Sequence, residues 1–475
     1  MRRFRHCNGG SFFCARVFSG YCGGFPAKVG YLCFSIILKN VLHGMKNKAM
    51  FLAAALWGLS CWVSAQPAVE SQQAPSAYTV IANPGEETWH QVRINWHSDQ
   101  KARKAICQWT EASDTLWKKA RTTRAEQAYC TVFDSLFSKK ATGESFFEQA
   151  RFWRCTVSLD KLKPDTRYMY RVGEKGNMSQ VRYFKTAPRS GAWTAGIISD
   201  FHAYPPLGAR VVSAMAMLDT LEACNGGEFD LMLHVGDVCA WGGSYSFWRD
   251  LYDQRHFKKY LWAGVNGNHD NMDRQSKRLS NEYFRHVNNN PLNGYPGEEG
   301  VCYYFKYGPA LFIMLNNEDM RSDEGLAAAQ AWVREVIENN PSKYIVVMEH
   351  YQWFFGENGR SSQYNRWKEL FDACGVDLAI GANNHIYVRT NAVYQDKETD
   401  GSVGTVYIQT PSSDNERGQS LGEWTYNQDL IKSRWCEGGR TVGAILLEGN
   451  DDRLLLTLYD RNGTKIDQVA VKAKR

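Results

Sequence analysis

Two patterns of apolar residues succeed one another along the chain. From about residue 77 to 188 apolar and polar positions alternate, as in "QVRINWHS", "RFWRCTVSL" and both arms of "RYMYRVGEKGNMSQVRYFKTAP". Period-two alternation marks strands with one buried face, so an all-β domain is expected over 77–188. Inside it, at roughly 107–150, "TLWKKARTTRAEQAYCTVFDSLF" is rich in helix-forming residues, and a helical insertion is expected there. After Trp193 the pattern changes to short, continuously apolar runs: "TAGIIS", "DLMLHV", "YLWAGV", "LFIML", "YIVVME" and "VDLAI". Amphipathic segments such as "QAWVREVIEN" and "YNRWKELFDAC" lie between them, which predicts an α/β layer fold over 193–440. Residues 441–475 alternate again around tight turns and read as closing antiparallel strands.

The beginning of the chain follows neither pattern. Residues 45–65 have a short basic start, an apolar run from Met50 to Val63 and small residues before Gln66. That is the layout of a secretory signal peptide cleaved after Ala65, and the run is shorter than the roughly 20 residues of a membrane span. The mature chain is therefore expected to be secreted or periplasmic, without a membrane span. Cys61 faintly resembles a lipid-attachment site, with Gly58 where such sites favour Leu. Residues 1–44 precede this signal and read as a start-site extension, with Met45 the expected start, and 66–76 as a linker.

Removing the leader alters the charge. The whole chain carries +6, but residues 1–65 hold eight Lys or Arg and no acid, leaving 48 basic against 50 acidic residues, or −2. Bulk charge gives no reason to expect nucleic-acid binding. Eight of the 13 cysteines remain after residue 65, none in a CxxC pair, so a zinc–thiolate site is not expected.

The chemistry stands where the apolar runs stop. Asp200-Phe201-His202 follows the first, Gly236-Asp237 the second and Asn266-Gly267-Asn268-His269-Asp270 the third. His350 follows "YIVVME", and "GANNHIYVR" follows "VDLAI", with Asn383 and His385 inside it. Ligands of open α/β sheets bind beyond the carboxyl ends of the strands, so these residues can converge. Each alone is an ordinary turn or a buried histidine; five in order at the same kind of position are not. Oxygen and imidazole donors without thiolate suit Mn, Fe, Zn or Mg, and a shared carboxylate can bridge two ions.

The order D-x-H, G-D, G-N-H-D, H and a terminal G-x-x-x-H is similar to the calcineurin-like metallophosphoesterase superfamily. "WKELFDACGVDLAIGANNHIYVRT" resembles the last motif of its purple acid phosphatase branch. That branch also carries a fibronectin type III-like domain in front, which "LDKLKPDTRYMYRVG" resembles. The resemblance implies a metallophosphoesterase β-sandwich flanked by helices and a site for two divalent or trivalent ions. Asp200, His202 and His385 would hold the first ion, Asp237 would bridge, and Asn268 and His350 would hold the second. His269 would protonate the leaving group or stabilise the transferred phosphoryl, and Asp270 would orient His269. The expected partner is a small-molecule phosphate ester, hydrolysed by activated water without a phosphoenzyme. The oligomeric state and the identity of the ions are not legible.

Two positions depart from the branch. Ala240 stands where its purple members have a tyrosine ligand, so no purple colour is expected. Asn383 stands where the first histidine of G-H-x-H would hold the second ion. Three readings stay open: Asn383 coordinates through its amide oxygen, the second ion is held loosely, or that ion and the chemistry are lost. Monoesters, diesters of nucleotides or sugars, and a non-catalytic binding or adhesion role are the alternatives. His269 favours catalysis. Arg210, Arg360 and the loop aromatics Tyr204, Trp241, Tyr245, Trp353, Phe354 and Phe355 are the candidate substrate contacts.

Overall fold

The structure is a computed structural model that describes residues 76–139, 144–203, 209–249, 251–272, 282–355, 359–360, 362–413, 429–437 and 441–475. The start-site extension, the signal peptide with Cys61, nearly all of the linker, and Tyr204 fall outside these residues, as do the side chains of Arg210, Phe355 and Arg360.

The N-terminal region is all β. Strands β1 (Tyr78–Pro84), β2 (Val92–Ser98), β3 (Ile106–Glu111), β4 (Arg121–Arg124), β5 (Glu126–Lys139), β6 (Glu144–Leu159), β7 (Arg167–Glu174), β8 (Asn177–Met178) and β9 (Arg182–Lys185) form two sheets. One has the order β1-β2-β6-β5; the other runs β4-β3-β7-β8, with β9 also on β7. The helical insertion expected at 107–150 is not there. Its described residues are β3 to β6, with β5 and β6 paired as one long antiparallel hairpin. Cys130, Val132 and Asp134 are buried while Tyr129, Thr131 and Phe133 are exposed, a period of two that the charged residues before it obscured. Helix propensity is a weak prior, and packing of that buried face overrides it. Cys130, Val132 and Phe152 meet Tyr245 and Tyr283 of the following domain.

That domain is built on β10 (Trp193–Ile198), α1 (Ala209–Asn225), β11 (Leu231–His234), α2 (Tyr245–Arg249), β12 (Leu261–Gly264), α3 (Glu282–Val287), β13 (Tyr303–Tyr307), β14 (Ala310–Met314) and α4 (Asp323–Asn339). It continues with β15 (Tyr344–Met348), the small pair β16 (Phe354–Phe355) and β17 (Gly359–Arg360), α5 (Ser362–Cys374), β18 (Leu378–Gly381), β19 (Tyr387–Tyr394) and β20 (Lys397–Glu398). Last come β21 (Thr405–Gln409), β22 (Ile431–Trp435), β23 (Gly443–Gly449), β24 (Arg453–Asp460) and β25 (Lys465–Lys472). One sheet has the order β12-β11-β10-β23-β24-β25, and the other β13-β14-β15-β18-β21-β19-β20 with β22 on β19. In each, the strands that carry motifs run parallel: β10 with β11 and β12, β15 with β18.

The continuous apolar runs have two faces to bury. Ile197, Leu233, Val346 and Ile380 belong to the core between the sheets. Ile198 and Met232 pack under Leu218 and Leu221 of α1, while Ile345 and Val347 pack under Trp332 of α4 and Trp367 of α5. Helix, sheet, sheet, helix is the resulting layer order, and it explains runs without alternation. Strands β23 to β25 extend the first sheet. The eight cysteines form no disulfide among the described residues.

The two domains are tied by buried polar contacts. Arg182 of β9, only 3% exposed, donates to the carbonyls of Val80 and Tyr252 at 2.9 and 2.7 Å. His97 of β2 donates from Nε2 to the His286 carbonyl at 2.7 Å and accepts from the Tyr245 hydroxyl at 2.6 Å. Burial, against the pull of that carbonyl, lowers the His97 pKa from 6.5 to about 3. The unfolded chain therefore binds one proton more than the folded chain between those values. This contribution to stability is complete above pH 6.5 and is lost as pH falls through the window, by about 1.4 kcal/mol per pH unit. We expect urea midpoints to fall between about pH 6.5 and about pH 4; midpoints that do not move would contradict this.

Candidate metal centre

The five motif loops leave the carboxyl ends of β10, β11, β12, β15 and β18 and meet. The first two zip together: Asp200 N–H donates to the Gly236 carbonyl and His202 N–H to the Asp237 carbonyl, both at 3.0 Å. Such tight loops demand unusual backbone. Asp200, His202, Asp237, Asn383 and His385 have φ of +46° to +65°, five of the eleven non-glycine residues with positive φ among the described residues. Left-handed backbone costs energy and gathers at functional sites.

Glycines make the approach close. Gly236 has φ +89°, and a Cβ there would sit 2.5 Å from His350 Nδ1. A Cβ on Gly267 would overlap the backbone nitrogen and Oδ1 of Asp237. We expect Gly236→Ala to destabilise the fold by roughly 2–4 kcal/mol and displace His350. A melting temperature equal to wild type would contradict this.

The side chains form overlapping groups. Donor atoms of Asp200, His202 and His385 lie within 4.8 Å of one another, as do those of Asp200, Asp237 and His350, and of His202, Asp237 and His269. Asp237 Oδ2 is 3.2 Å from both His202 Nε2 and His350 Nε2, and His385 Nε2 is 3.3 Å from Asp200 Oδ1. His350 Nε2 is also 3.1 Å from Asn268 Oδ1. Each ring is aimed by its other nitrogen: His350 Nδ1 donates to the Val235 carbonyl at 2.7 Å and His202 Nδ1 to the Asp200 carbonyl at 3.0 Å. In both rings Nε2 is then the nitrogen free to serve as a metal ligand once it has lost its proton.

Electrostatics point the same way. Burial opposes ionisation of Asp237, yet His350, His202 and His269 hold its carboxyl well below the usual carboxylate range. Asp200 is likewise held low against burial, by His385 and His350. Asp200 Oδ1 is buried without a hydrogen-bond partner among the described residues, and His202 is fully buried beside it. Two fully buried donors aimed at one space, beside anionic carboxylates, fit cations rather than an apolar core.

The remaining expectations fare differently. His269 is in place, half-buried, its backbone N–H donating to Asp237 Oδ1 at 2.7 Å and its ring edge-on to that of His202 at 4.8 Å. Asp270 does not orient it. The His269 Nδ1 donates to the Ala240 carbonyl at 2.7 Å. Asp270 instead accepts from the backbone of Cys239 at 3.0 Å and Gly267 at 2.9 Å, tying two motif loops together. Burial and Asp237 raise its carboxyl to about 7. Its position inside the loop, under rather than beside the imidazole, is what spacing alone did not reveal. Asn383 borders the same cavity as Asn268, and its Nδ2 donates to Gln352 Oε1 at 2.7 Å, which turns Oδ1 into the atom left for an ion.

Some supporting residues went unforeseen. Ser412 Oγ donates to the Asp200 carbonyl at 3.2 Å, and Asn317 Oδ1 accepts the backbone N–H of His350 at 2.8 Å. His234, kept neutral by burial with a pKa of about 3, accepts from the Gly236 N–H at 3.0 Å. Asn317, just past "LFIML", is the one that strand-end position could have flagged. The loop aromatics mostly pack: Trp353 and Phe354 are buried beside Tyr407, and Tyr245 stacks on Phe152.

Comparison with known proteins agrees with the geometry. Residues 78–186 match the purple acid phosphatase N-terminal domain and 194–387 the calcineurin-like phosphoesterase domain. Acid phosphatase type 7 of Danio rerio is 24% identical over 62% of this chain and 71% of its own. Purple acid phosphatase 15 of Arabidopsis thaliana is 23% identical over 53% of this chain and 52% of its own. Among solved structures, purple acid phosphatase PPD1 from yellow lupin (Lupinus luteus) seeds superposes with TM-score 0.66 at 15% identity, covering 84% of this chain and 74% of that one. PhoD superposes with TM-score 0.55 at 12% identity, over 85% and 93%. The chain carries a calcineurin-like phosphoesterase domain, that of hydrolases of phosphoric esters, behind a purple acid phosphatase N-terminal domain, the architecture of purple acid phosphatases.

Proposed function

We propose that this chain is an exported phosphomonoesterase with a dinuclear metal site. Asp200, His202 and His385 hold one ion, Asn268, His350 and the Asn383 amide oxygen hold the other, and Asp237 is shared. The observation that carries the reading is Asp237 Oδ2, equidistant at 3.2 Å from a histidine of each set. When bound, the ions supply Lewis acidity to the phosphoryl oxygens and lower the pKa of the attacking water.

The chain's own residues do the rest. His269, with Nδ1 committed to the Ala240 carbonyl, has Nε2 left to give a proton to the leaving oxygen. No side chain of the set is a covalent nucleophile, so water attacks directly. Export rests on the signal-like residues 45–65, and among the described residues no helix is long and apolar enough to cross a membrane.

The test is hydrolysis of p-nitrophenyl phosphate against bis-p-nitrophenyl phosphate after chelation and restoration of Mn, Fe, Zn or Mg. We expect metal-dependent turnover with the monoester preferred; a diester preference would overturn the monoesterase assignment. Asn383→His should tighten the weaker ion. We expect the metal concentration for half-maximal activity to fall by about tenfold, imidazole being the stronger donor. An unchanged titration would remove Asn383 from the ligand set.

A further inference from the structure

Beside the metal centre lies a cavity of about 620 Å³. The described residues that line it are Asn268 and Asn383, together with Arg321, Arg366, Tyr351, Gln352, Ser362 and Gln363. The size suits a small ligand, but the chemistry is unusual for a pocket: two guanidinium groups, four amides and two hydroxyls, with no carboxylate among the described residues that line it. We infer that this cavity binds a second anionic group of the substrate, so that the preferred ester is a phosphomonoester on a compact polar skeleton that also carries a phosphate or a carboxylate. The inference rests on the phosphoesterase reading above and extends it to substrate class.

The donors are held by the fold yet not used up. Arg366, half-buried on α5, gives Nη1 to the Met320 carbonyl at 3.1 Å, and its Nε and Nη2 have no hydrogen-bond partner among the described residues. Arg321, 47% exposed, donates from Nη2 to the Tyr351 hydroxyl at 2.8 Å. Its Nε stands 3.6 Å from Glu318, which also accepts the Tyr351 hydroxyl at 2.6 Å. That carboxylate offsets part of the Arg321 charge. Guanidinium forks suit planar carboxylates and phosphates, and the amides suit hydroxyls.

A nucleoside is disfavoured by the described residues around the cavity. Trp353 and Phe354, the aromatics nearest in sequence, are buried with Tyr364, Phe371 and Tyr407 and offer no face to stack a base. Among the described residues that line the cavity Tyr351 is the aromatic one, and its hydroxyl is committed to Glu318.

Matched esters test this: glucose 1,6-bisphosphate against glucose 6-phosphate for a second phosphate, and 3-phosphoglycerate against glycerol 3-phosphate for a carboxylate. We expect wild type to prefer the more anionic member of at least one pair by about tenfold or more in kcat/KM, chiefly through KM. Whichever pair shows it names the second anion. Arg321→Gln, on an exposed side chain, and Arg321→Gln/Arg366→Gln should lower that preference stepwise toward one. No preference in either pair, or a preference that survives the double substitution in a folded protein, would overturn the inference while leaving the phosphatase intact. No turnover of any of these esters or of p-nitrophenyl phosphate would instead sink the phosphoesterase reading beneath it.

Discussion

Asp237→Asn should abolish phosphoester hydrolysis, with kcat falling by about a thousandfold or more, in a chain that still folds. Asp237 is 1% exposed and holds four things together. Its Oδ2 faces His202 and His350 at 3.2 Å, its Oδ1 accepts the His269 N–H at 2.7 Å, and its own carbonyl accepts the His202 N–H at 3.0 Å. Asparagine has the same shape and keeps the Oδ1 and backbone contacts, so the loop survives. What it removes is the one full negative charge shared by both sets of ligands. Bound metal per chain should drop together with activity. A variant that keeps activity within about tenfold of wild type would show that Asp237 is not shared.

His269→Ala should separate chemistry from metal binding. His269 touches Asp237 through its backbone N–H, a contact alanine retains, so metal content should not change. Loss of the imidazole should lower kcat by about 10²- to 10⁴-fold, the usual worth of a positioned acid. Leaving groups sharpen the test. p-Nitrophenolate departs without a proton, whereas an alkoxide does not, so the loss should be far larger for glycerol 3-phosphate than for p-nitrophenyl phosphate. Equal losses would mean that His269 stabilises the phosphoryl group instead of protonating the leaving oxygen.

The legible parts of the molecule were those where chain direction and chemistry coincide. A parallel strand buried on both faces must be apolar to its end, so Asp200, Asp237, Asn268, His350 and His385 stand out at the point where burial stops. The β5–β6 hairpin was not legible because its buried stripe, Cys130-x-Val132-x-Asp134, is short and ends in a carboxylate, behind residues that favour helix. Asp134 is inward because it accepts the Ser246 N–H at 3.2 Å and hydroxyl at 3.1 Å, a partner 112 positions away. Asp270 misled for the opposite reason. Adjacency to His269 suggested contact, but a one-turn 3-10 helix over His269–Asn271 sends neighbouring side chains in different directions. Arg321 and Arg366 carry no local signature at all. One precedes α4 and the other rides on α5, and only the tertiary fold brings both to the cavity of Asn268 and Asn383.

The most direct test is a metal titration of the chelated full chain, reading bound ion and phosphate release from p-nitrophenyl phosphate in the same samples. The account requires activity to appear as the second ion binds, with two per chain at saturation and the second bound more weakly where Asn383 replaces imidazole. Full activity in metal-free protein, or at a single ion per chain, would contradict it.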